Sequence, residues 1–179
     1  MTVKLDYYYN STFEFQKVIS GESDFIACFI MTVNKRYVLN DYEVFPENKE
    51  YAEMDWITWL GIQFMKSLLA LRKDSEAYSY IHFLEYSGGK GLEIYLKDST
   101  TIFISYIKDG INWYSFDKKK EGLTYCWSDE SVSFDDYRKA VQTYCMKIYN
   151  EYTSFSLPIY DDLYPEFEQY YMELFINLL

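Results

Sequence analysis

The first periodic stretch of the chain, residues 7–19, alternates apolar and polar side chains. Phe13 and Phe15 fall on one side of an extended chain, and Glu14 falls on the other. A period of two is typical of a strand with one buried face. The pattern therefore predicts a half-buried strand over residues 7–19.

Residues 25–33 are apolar at nearly every position. A strand that is apolar on both faces is typical of the centre of a sheet, where both faces are covered. Asn34 and Lys35 come next and can close a tight hairpin into a strand over residues 36–44. We therefore predict a central strand followed by a hairpin.

The period becomes helical over residues 55–72. Its apolar stripe, at spacings of three and four, consists of Trp56, Trp59, Leu60, Phe64, Leu68 and Leu71. We interpret this stripe as core, because the helix has no other obvious anchor, although a ligand pocket lined by the tryptophans is an alternative. Gly61 costs about 1 kcal/mol relative to Ala inside a helix, which indicates close packing against the sheet.

Short strands separated by turns follow and predict an antiparallel meander of about five strands. These strands are residues 78–86, 92–97, 100–107, 111–116 and 123–127. The glycine-rich residues 87–91 form the first connection, and Asp109-Gly110 is the strongest short hairpin signal in the chain.

Two helices are predicted after the meander. Ser133 and Asp136 have the S-x-x-D spacing of an approximate capping box. The helix that follows has one apolar face, formed by Tyr137, Val141, Tyr144, Ile148 and Tyr152. Pro165 suits the first position of the last helix, where a missing amide costs nothing. The stripe of that helix consists of Phe167, Tyr170, Tyr171, Leu174 and Leu178.

No repeat or long linker divides these elements. We therefore predict a single α+β domain over residues 1–179. Its parts are an antiparallel meander sheet with N-terminal strands, one central Trp-rich helix and two C-terminal helices.

Acidic residues are in excess over the whole chain, and above all near its end. The 179 residues include 28 Asp and Glu against 17 Lys and Arg, a formal net charge of -11. No basic residue follows Lys147, whereas the acidic residues there are Glu151, Asp161, Asp162, Glu166, Glu168 and Glu173. A field of one sign speeds association with cationic partners.

Tyrosines are interleaved with these acids, and Tyr combines apolar area with a polar tip, as recognition surfaces require. A partner-binding surface is therefore predicted at Tyr160, Asp161, Asp162, Tyr164, Glu166 and Glu168. The alternative is a solvated helix face whose Tyr rings pack on the core. Codon bias in an AT-rich genome would also explain the abundance of tyrosine, 21 residues.

Motifs for catalysis are missing from the sequence. His82 is the one histidine, so a catalytic triad would need it as base, and no G-x-S-x-G accompanies it. Residues 87–91 do not have the Walker spacing. Cys28, Cys126 and Cys145 are far apart, which argues against zinc or redox motifs. We predict no catalytic, cofactor or metal site, and we interpret Cys28 and Cys145 as buried.

The charge also argues against nucleic acid as a direct ligand. The basic run 118–120 lies between Asp117 and Glu121 and is predicted to be a solvated loop. The start of the chain lacks the apolar region of a secretory signal, and no apolar stretch approaches the roughly 20 residues that span a bilayer. We therefore expect a cytoplasmic protein without a membrane partner.

The order of these parts resembles the small acidic immunity proteins that accompany polymorphic toxins in low-GC Gram-positive bacteria. The resemblance is carried by Phe13-Glu14-Phe15, residues 24–29, the helix with Trp56 and Trp59, the meander and residues 133–137. It implies a stoichiometric inhibitor that blocks a basic, nuclease-like toxin by direct binding and has no catalytic residues.

Two other functions remain open from the sequence. One is a phage or mobile-element inhibitor that disarms a host defence protein by acidic mimicry of nucleic acid. The other, of a different class, is a small-molecule enzyme or sensor with a pocket between the helix over residues 55–72 and the sheet.

Overall fold

The computed structural model describes residues 2–9, 12–20, 26–38, 54–83, 89–110, 119–155 and 162–176. Within these ranges the fold is α+β, as the sequence predicts: helices pack with two antiparallel sheets. Residues 39–53 and 111–118, which include the end of the predicted hairpin strand and one predicted meander strand, lie outside the described residues.

The first sheet has β2 (Ile26–Val33) at its centre, as predicted. β2 pairs on one side with β1 (Val3–Tyr8) and on the other with β3 (Arg36–Val38) and β4 (Met54–Trp56), always antiparallel. Its core-facing residues are Ala27, Phe29, Met31 and Val33. The predicted turn is confirmed, since Asn34 and Lys35 have φ of 50° and 72° and join β2 to β3.

The predicted strand over residues 7–19 is wrong. The strand there, β1, is earlier and shorter, and helix α1 (Thr12–Ser20) follows it. Phe15, Val18 and Ile19 recur at spacings of three and four, and Val18 is buried in the core. An alternation of three or four residues is too short to separate a period of two from a helical period.

Helix α2 (Ile57–Lys73) carries the predicted core stripe, and Leu60, Phe64, Leu68 and Leu71 are buried in it. The predicted start at Asp55 is wrong, because residues 54–56 form β4, in which Trp56 pairs with Ile26. Trp59 is half-buried against the core.

Gly61 does mark a close approach, but the neighbours are helices and not the sheet, so that part of the prediction is wrong. A Cβ atom at Gly61 would lie 2.9 Å from Cε2 of Phe167 and 3.1 Å from Cδ1 of Ile148. The absence of a side chain at Gly61 therefore lets the two C-terminal helices pack on α2.

The second sheet is the predicted meander. β5 (Tyr78–His82), β6 (Gly91–Leu96), β7 (Thr101–Asp109) and β8 (Thr124–Ser133) lie side by side in chain order, each antiparallel to the next. β8 is longer than the predicted strand over residues 123–127, with irregular pairing to β7 along the way.

Helix α3 (Phe134–Phe155) begins at the predicted cap, where the Ser133 hydroxyl accepts a hydrogen bond of 3.0 Å from the Asp136 amide. Its predicted apolar face is buried throughout: Tyr137, Val141, Tyr144, Ile148 and Tyr152. Helix α4 (Tyr164–Tyr171) has Pro165 in its first turn and continues as a π-helical turn, Met172–Ile176.

One hydrophobic cluster contains residues from both sheets and from α2, α3 and α4. In this cluster the ring centroid of Phe29 lies 6.0 Å from that of Phe64, 5.9 Å from that of Phe83 and 5.9 Å from that of Tyr144. Such continuous packing is what a single domain requires. A single domain over residues 1–179 stays a prediction, and limited proteolysis that releases two folded halves would contradict it.

Candidate partner-binding surface

Two of the predicted contact residues, Tyr160 and Asp161, lie outside the described residues. Asp162 is exposed just before α4. Tyr164, in contrast, is only 6% exposed, and its ring centroid lies 4.3 Å from that of Tyr152. Tyr164 therefore helps to hold α4 on α3, and it offers little surface to a partner.

The two predicted glutamates of α4 already bind within the chain. Glu166 forms an ion pair of 2.7 Å with Lys66 of α2, which offsets its charge. Glu168 accepts a hydrogen bond of 3.2 Å from the Tyr164 hydroxyl, and this bond leaves its charge in place. The acidic field near α4 therefore comes from Asp162, Glu168 and, beyond α4, the exposed Glu173.

Most aromatic side chains of this region join α4 to α3. Tyr149 and Tyr171 stack with ring centroids 4.6 Å apart, and Phe167 lies 6.4 Å from Tyr152 and 6.0 Å from Tyr171. Burial raises the pKa of both Tyr164 and Tyr171. These rings therefore pack on the core, as the alternative interpretation of the sequence proposed.

The exposed apolar side chains of the same region were not predicted from the sequence. Met146 is 45% exposed, Phe155 43% and Ile176 42%. A shallow groove of about 340 Å³ on α3 is lined by residues that include Thr143, Met146, Lys147, Asn150, Glu151 and Phe155. The signal was available for Met146, which falls off the periodic stripe that runs from Tyr137 to Tyr152, whereas Phe155 continues that stripe three residues beyond Tyr152.

Glu151 adds a carboxylate to this groove, and aromatic neighbours hold it in place. The Tyr9 hydroxyl donates a hydrogen bond of 2.7 Å to Glu151. The Phe15 ring lies 4.9 Å from Tyr9 and 5.2 Å from Phe155. Burial raises the pKa of Glu151, and the hydrogen bond from Tyr9 opposes that effect. The groove thus combines an oriented carboxylate with apolar surface.

A second polar cluster lies on the second sheet, around Glu93 of β6. Glu93 is only 3% exposed, and its carboxylate accepts hydrogen bonds of 2.8 Å from Tyr80 and 3.2 Å from Tyr125. The Lys120 amide in turn donates to the Tyr80 hydroxyl at 2.8 Å. Both tyrosines are committed to this carboxylate, so the cluster has the form of a structural network.

The environment of Glu93 predicts a specific dependence of stability on pH. Burial raises its pKa, although the hydrogen bonds from Tyr80 and Tyr125 oppose this. The unfolded chain therefore loses this proton at a lower pH than the folded chain. The contribution of Glu93 to the free energy of unfolding therefore falls as the pH rises from the ordinary glutamate pKa of 4.5 through the pKa of the folded chain.

We therefore expect Glu93→Gln to remove this decline. Urea unfolding at several pH values between about 4 and 7 measures it. Wild-type stability should fall relative to that of Glu93→Gln as pH rises, whereas the exposed control Glu121→Gln should follow the wild type. A difference between wild type and Glu93→Gln that stays constant over this range would contradict the assignment.

His82 and the described cysteines show no nucleophilic arrangement. Within the described ranges no hydrogen bond joins His82 to a serine or cysteine, and burial lowers its pKa. Cys145 is buried as predicted, and burial raises the pKa of its thiol. Cys126 is exposed on β8, and the side chain of Cys28 is outside the described set.

In the described part of the chain, no three His, Cys, Asp or Glu side chains are grouped so that they could hold a metal ion. None of the helices in these ranges is both long and apolar enough to cross a membrane. No protein family, curated protein or solved structure matches the chain.

Proposed function

We propose that the chain is a non-enzymatic binding protein that neutralises a basic protein by direct stoichiometric binding, as an immunity protein does for a nuclease-like toxin. One observation carries the proposal. Every large apolar side chain that is exposed among the described residues lies between Met146 and Ile176. No basic residue follows Lys147, so this same stretch is acidic.

Apolar and acidic groups would have separate tasks in such an interface. Exposed apolar side chains supply affinity when a partner removes them from water, and Met146 and Phe155 line one groove on α3. Exposed carboxylates of the same chain steer a cationic partner and raise the association rate. Asp162, Glu168 and Glu173 are placed for this second task.

The charge also suggests the class of partner. A nuclease presents basic side chains because it must hold a phosphate backbone. A protein that places carboxylates where phosphates would lie competes for those side chains. The net charge of -11 supports a partner of this kind over nucleic acid itself.

The test is capture of partners from the native host, followed by reconstitution. Wild-type chain and a Met146→Ser/Phe155→Ser variant serve as parallel baits. We expect a basic protein that the wild type retains and the variant loses, and whose toxic or nuclease activity disappears at a 1:1 ratio. A captured protein that stays active at excess wild-type chain, or that both baits retain equally, would contradict the proposal.

A further inference from the structure

β1 is an edge strand of the first sheet within the described residues. It pairs with β2 on one side, and the sheet order places no described strand on the other. The unpaired amides and carbonyls of an edge strand form a template for another extended chain. The hydrogen bonds of β1 show which of its backbone groups point to that open side.

Two sets of hydrogen bonds fix the direction of these groups. On the β2 side, the Thr2 carbonyl accepts a bond of 2.9 Å from the Asn34 amide. On the open side, the Tyr7 amide and carbonyl bond to side chains and not to β2. Because the backbone groups of a strand alternate in direction, Val3 and Leu5 point to the same open side as Tyr7.

The edge is closed at Tyr7. Its amide donates to the Asp6 carboxylate at 2.9 Å, and the Lys147 ammonium donates to its carbonyl. The same ammonium donates to Asp6 at 2.8 Å and lies 4.0 Å from the centroid of the Tyr7 ring. A charged pair that covers edge groups in this way protects a strand from unwanted pairing.

The edge is unpaired at Val3 and Leu5, although Leu5 as a whole is only 5% exposed because its side chain lies in the core. In the described part of the chain, no hydrogen bond occupies the amides or carbonyls of these two residues on that side. They therefore present two donors and two acceptors, spaced as in an antiparallel ladder. Another extended backbone satisfies such a row at all its positions.

A groove runs beside this open edge. It has a volume of about 380 Å³ and lies between residues 2–6 and α3, with Ala140, Thr143 and Tyr144 in its wall. Thr143 and Lys147 also line the groove that contains Met146 and Phe155. The open edge therefore continues, along one side of α3, into the groove that contains Met146 and Phe155.

We propose that an extended segment of the partner protein adds as a strand to β1, with its backbone paired to Val3 and Leu5 and an apolar side chain in the groove. The proposal rests on the proposed function, and it names how the partner is held. A strand edge beside a helix is a general mode of peptide recognition, in which the backbone supplies affinity and the groove selects the side chain.

A second copy of the chain fits this edge less well than a partner strand. Paired strands lie about 4.8 Å apart, whereas a helix with its side chains is about 10 Å across. α3 packs beside β1, with Tyr144 in edge-to-face contact with Tyr7 at 5.6 Å. Each copy paired through β1 would bring its own α3 to the shared edge, whereas an extended segment brings no helix.

The test uses the full chain and a synthetic probe, the acetylated and amidated peptide Lys-Val-Thr-Val-Lys. Amide exchange of the isotopically labelled protein is followed by NMR. In the free protein the Val3 and Leu5 amides should exchange rapidly. Peptide at millimolar concentration should slow both by about tenfold or more, and a peptide with Pro in place of Thr should not.

Val3→Pro and Val3→Ala separate backbone pairing from side-chain packing. Proline at position 3 removes an amide that does not bond to β2, so the sheet should keep its ladder, which thermal unfolding checks. We expect Val3→Ala to bind the peptide and Val3→Pro to lose it. Equal binding by these two variants would overturn the proposal.

Two further results would also overturn it. One is slow exchange of the Val3 and Leu5 amides in the free chain. Slow exchange at all concentrations would mean that another part of this chain covers the edge, and slow exchange only at high concentration would mean that a second copy covers it. The other is no response to the peptide. Neither result decides the capture experiment. A partner held only through Met146 and Phe155 would still be lost by the Met146→Ser/Phe155→Ser variant, and Val3→Pro would retain it.

Discussion

Replacing Phe167 with alanine is expected to lower the free energy of unfolding by about 3–5 kcal/mol. Phe167 is fully buried, and its ring edge fits against Gly61, where α2 has no side chain. It also packs on Tyr152 and Tyr171. Truncation would leave a cavity between three helices, because Gly61 cannot fill the space. Denaturant unfolding measures the loss.

Tyr170 provides the matched control on the same helix. Its ring is half-buried under the Lys66 ammonium, which lies 5.5 Å from the centroid. Loss of a half-buried contact of this kind costs about 1 kcal/mol. Equal losses for Phe167→Ala and Tyr170→Ala would contradict the packing of α4 through Phe167.

The second large effect is expected on binding. The double variant Met146→Ser/Phe155→Ser should weaken binding of the captured partner by about 30-fold or more, because each apolar anchor contributes about 1 kcal/mol or more. Both side chains are exposed in the free chain, so the fold should tolerate the change. Titration calorimetry with the purified partner measures the affinity.

Lys73→Ser, an exposed change in the last turn of α2, is the control for this experiment. It should leave the affinity unchanged. If the double variant also binds with wild-type affinity while remaining folded, the groove on α3 is not a contact surface.

Elements whose own residues set their period could be predicted from the sequence. β2 and the turn at Asn34, the stripe of α2, and the cap and buried face of α3 follow from local patterns. Each of these patterns repeats several times or includes a residue with a specific conformational role. Repetition is what separates a helical period from a period of two.

The errors in the fold arose where a distant partner decides the structure. Trp56 looked like the first turn of a helix, but pairing with Ile26 makes it the end of β4. Gly61 indicated close packing, yet nothing nearby in the sequence identifies Phe167 as the neighbour. α1 is short, and its Phe13-Glu14-Phe15 alternation fits either period.

The predicted contact residues show the same limit. The composition of an acidic, tyrosine-rich segment is the same whether its rings face a partner or the core, so composition does not show which way the rings point. Tyr164 packs on Tyr152, and Glu166 pairs with Lys66, and neither partner is close in sequence. Met146 was the better guide, because an apolar residue off the buried stripe of a helix has to face something else.

The central claim is that the acidic surface around α4 steers a basic partner. The most direct test is the association rate of the captured partner, measured from low to high salt. The first variant, Asp162→Asn/Glu168→Gln/Glu173→Gln, neutralises this surface. The control, Glu76→Gln/Asp109→Asn/Glu121→Gln, removes the same net charge from exposed positions elsewhere.

Steering by a local surface predicts that the first variant associates several-fold more slowly at low salt, by about tenfold at most, and that its salt dependence is flatter. The control should keep nearly the wild-type rate and slope. Equal rates and slopes for the two variants would contradict the claim, because charge would then act only through its total and not through its place on the chain.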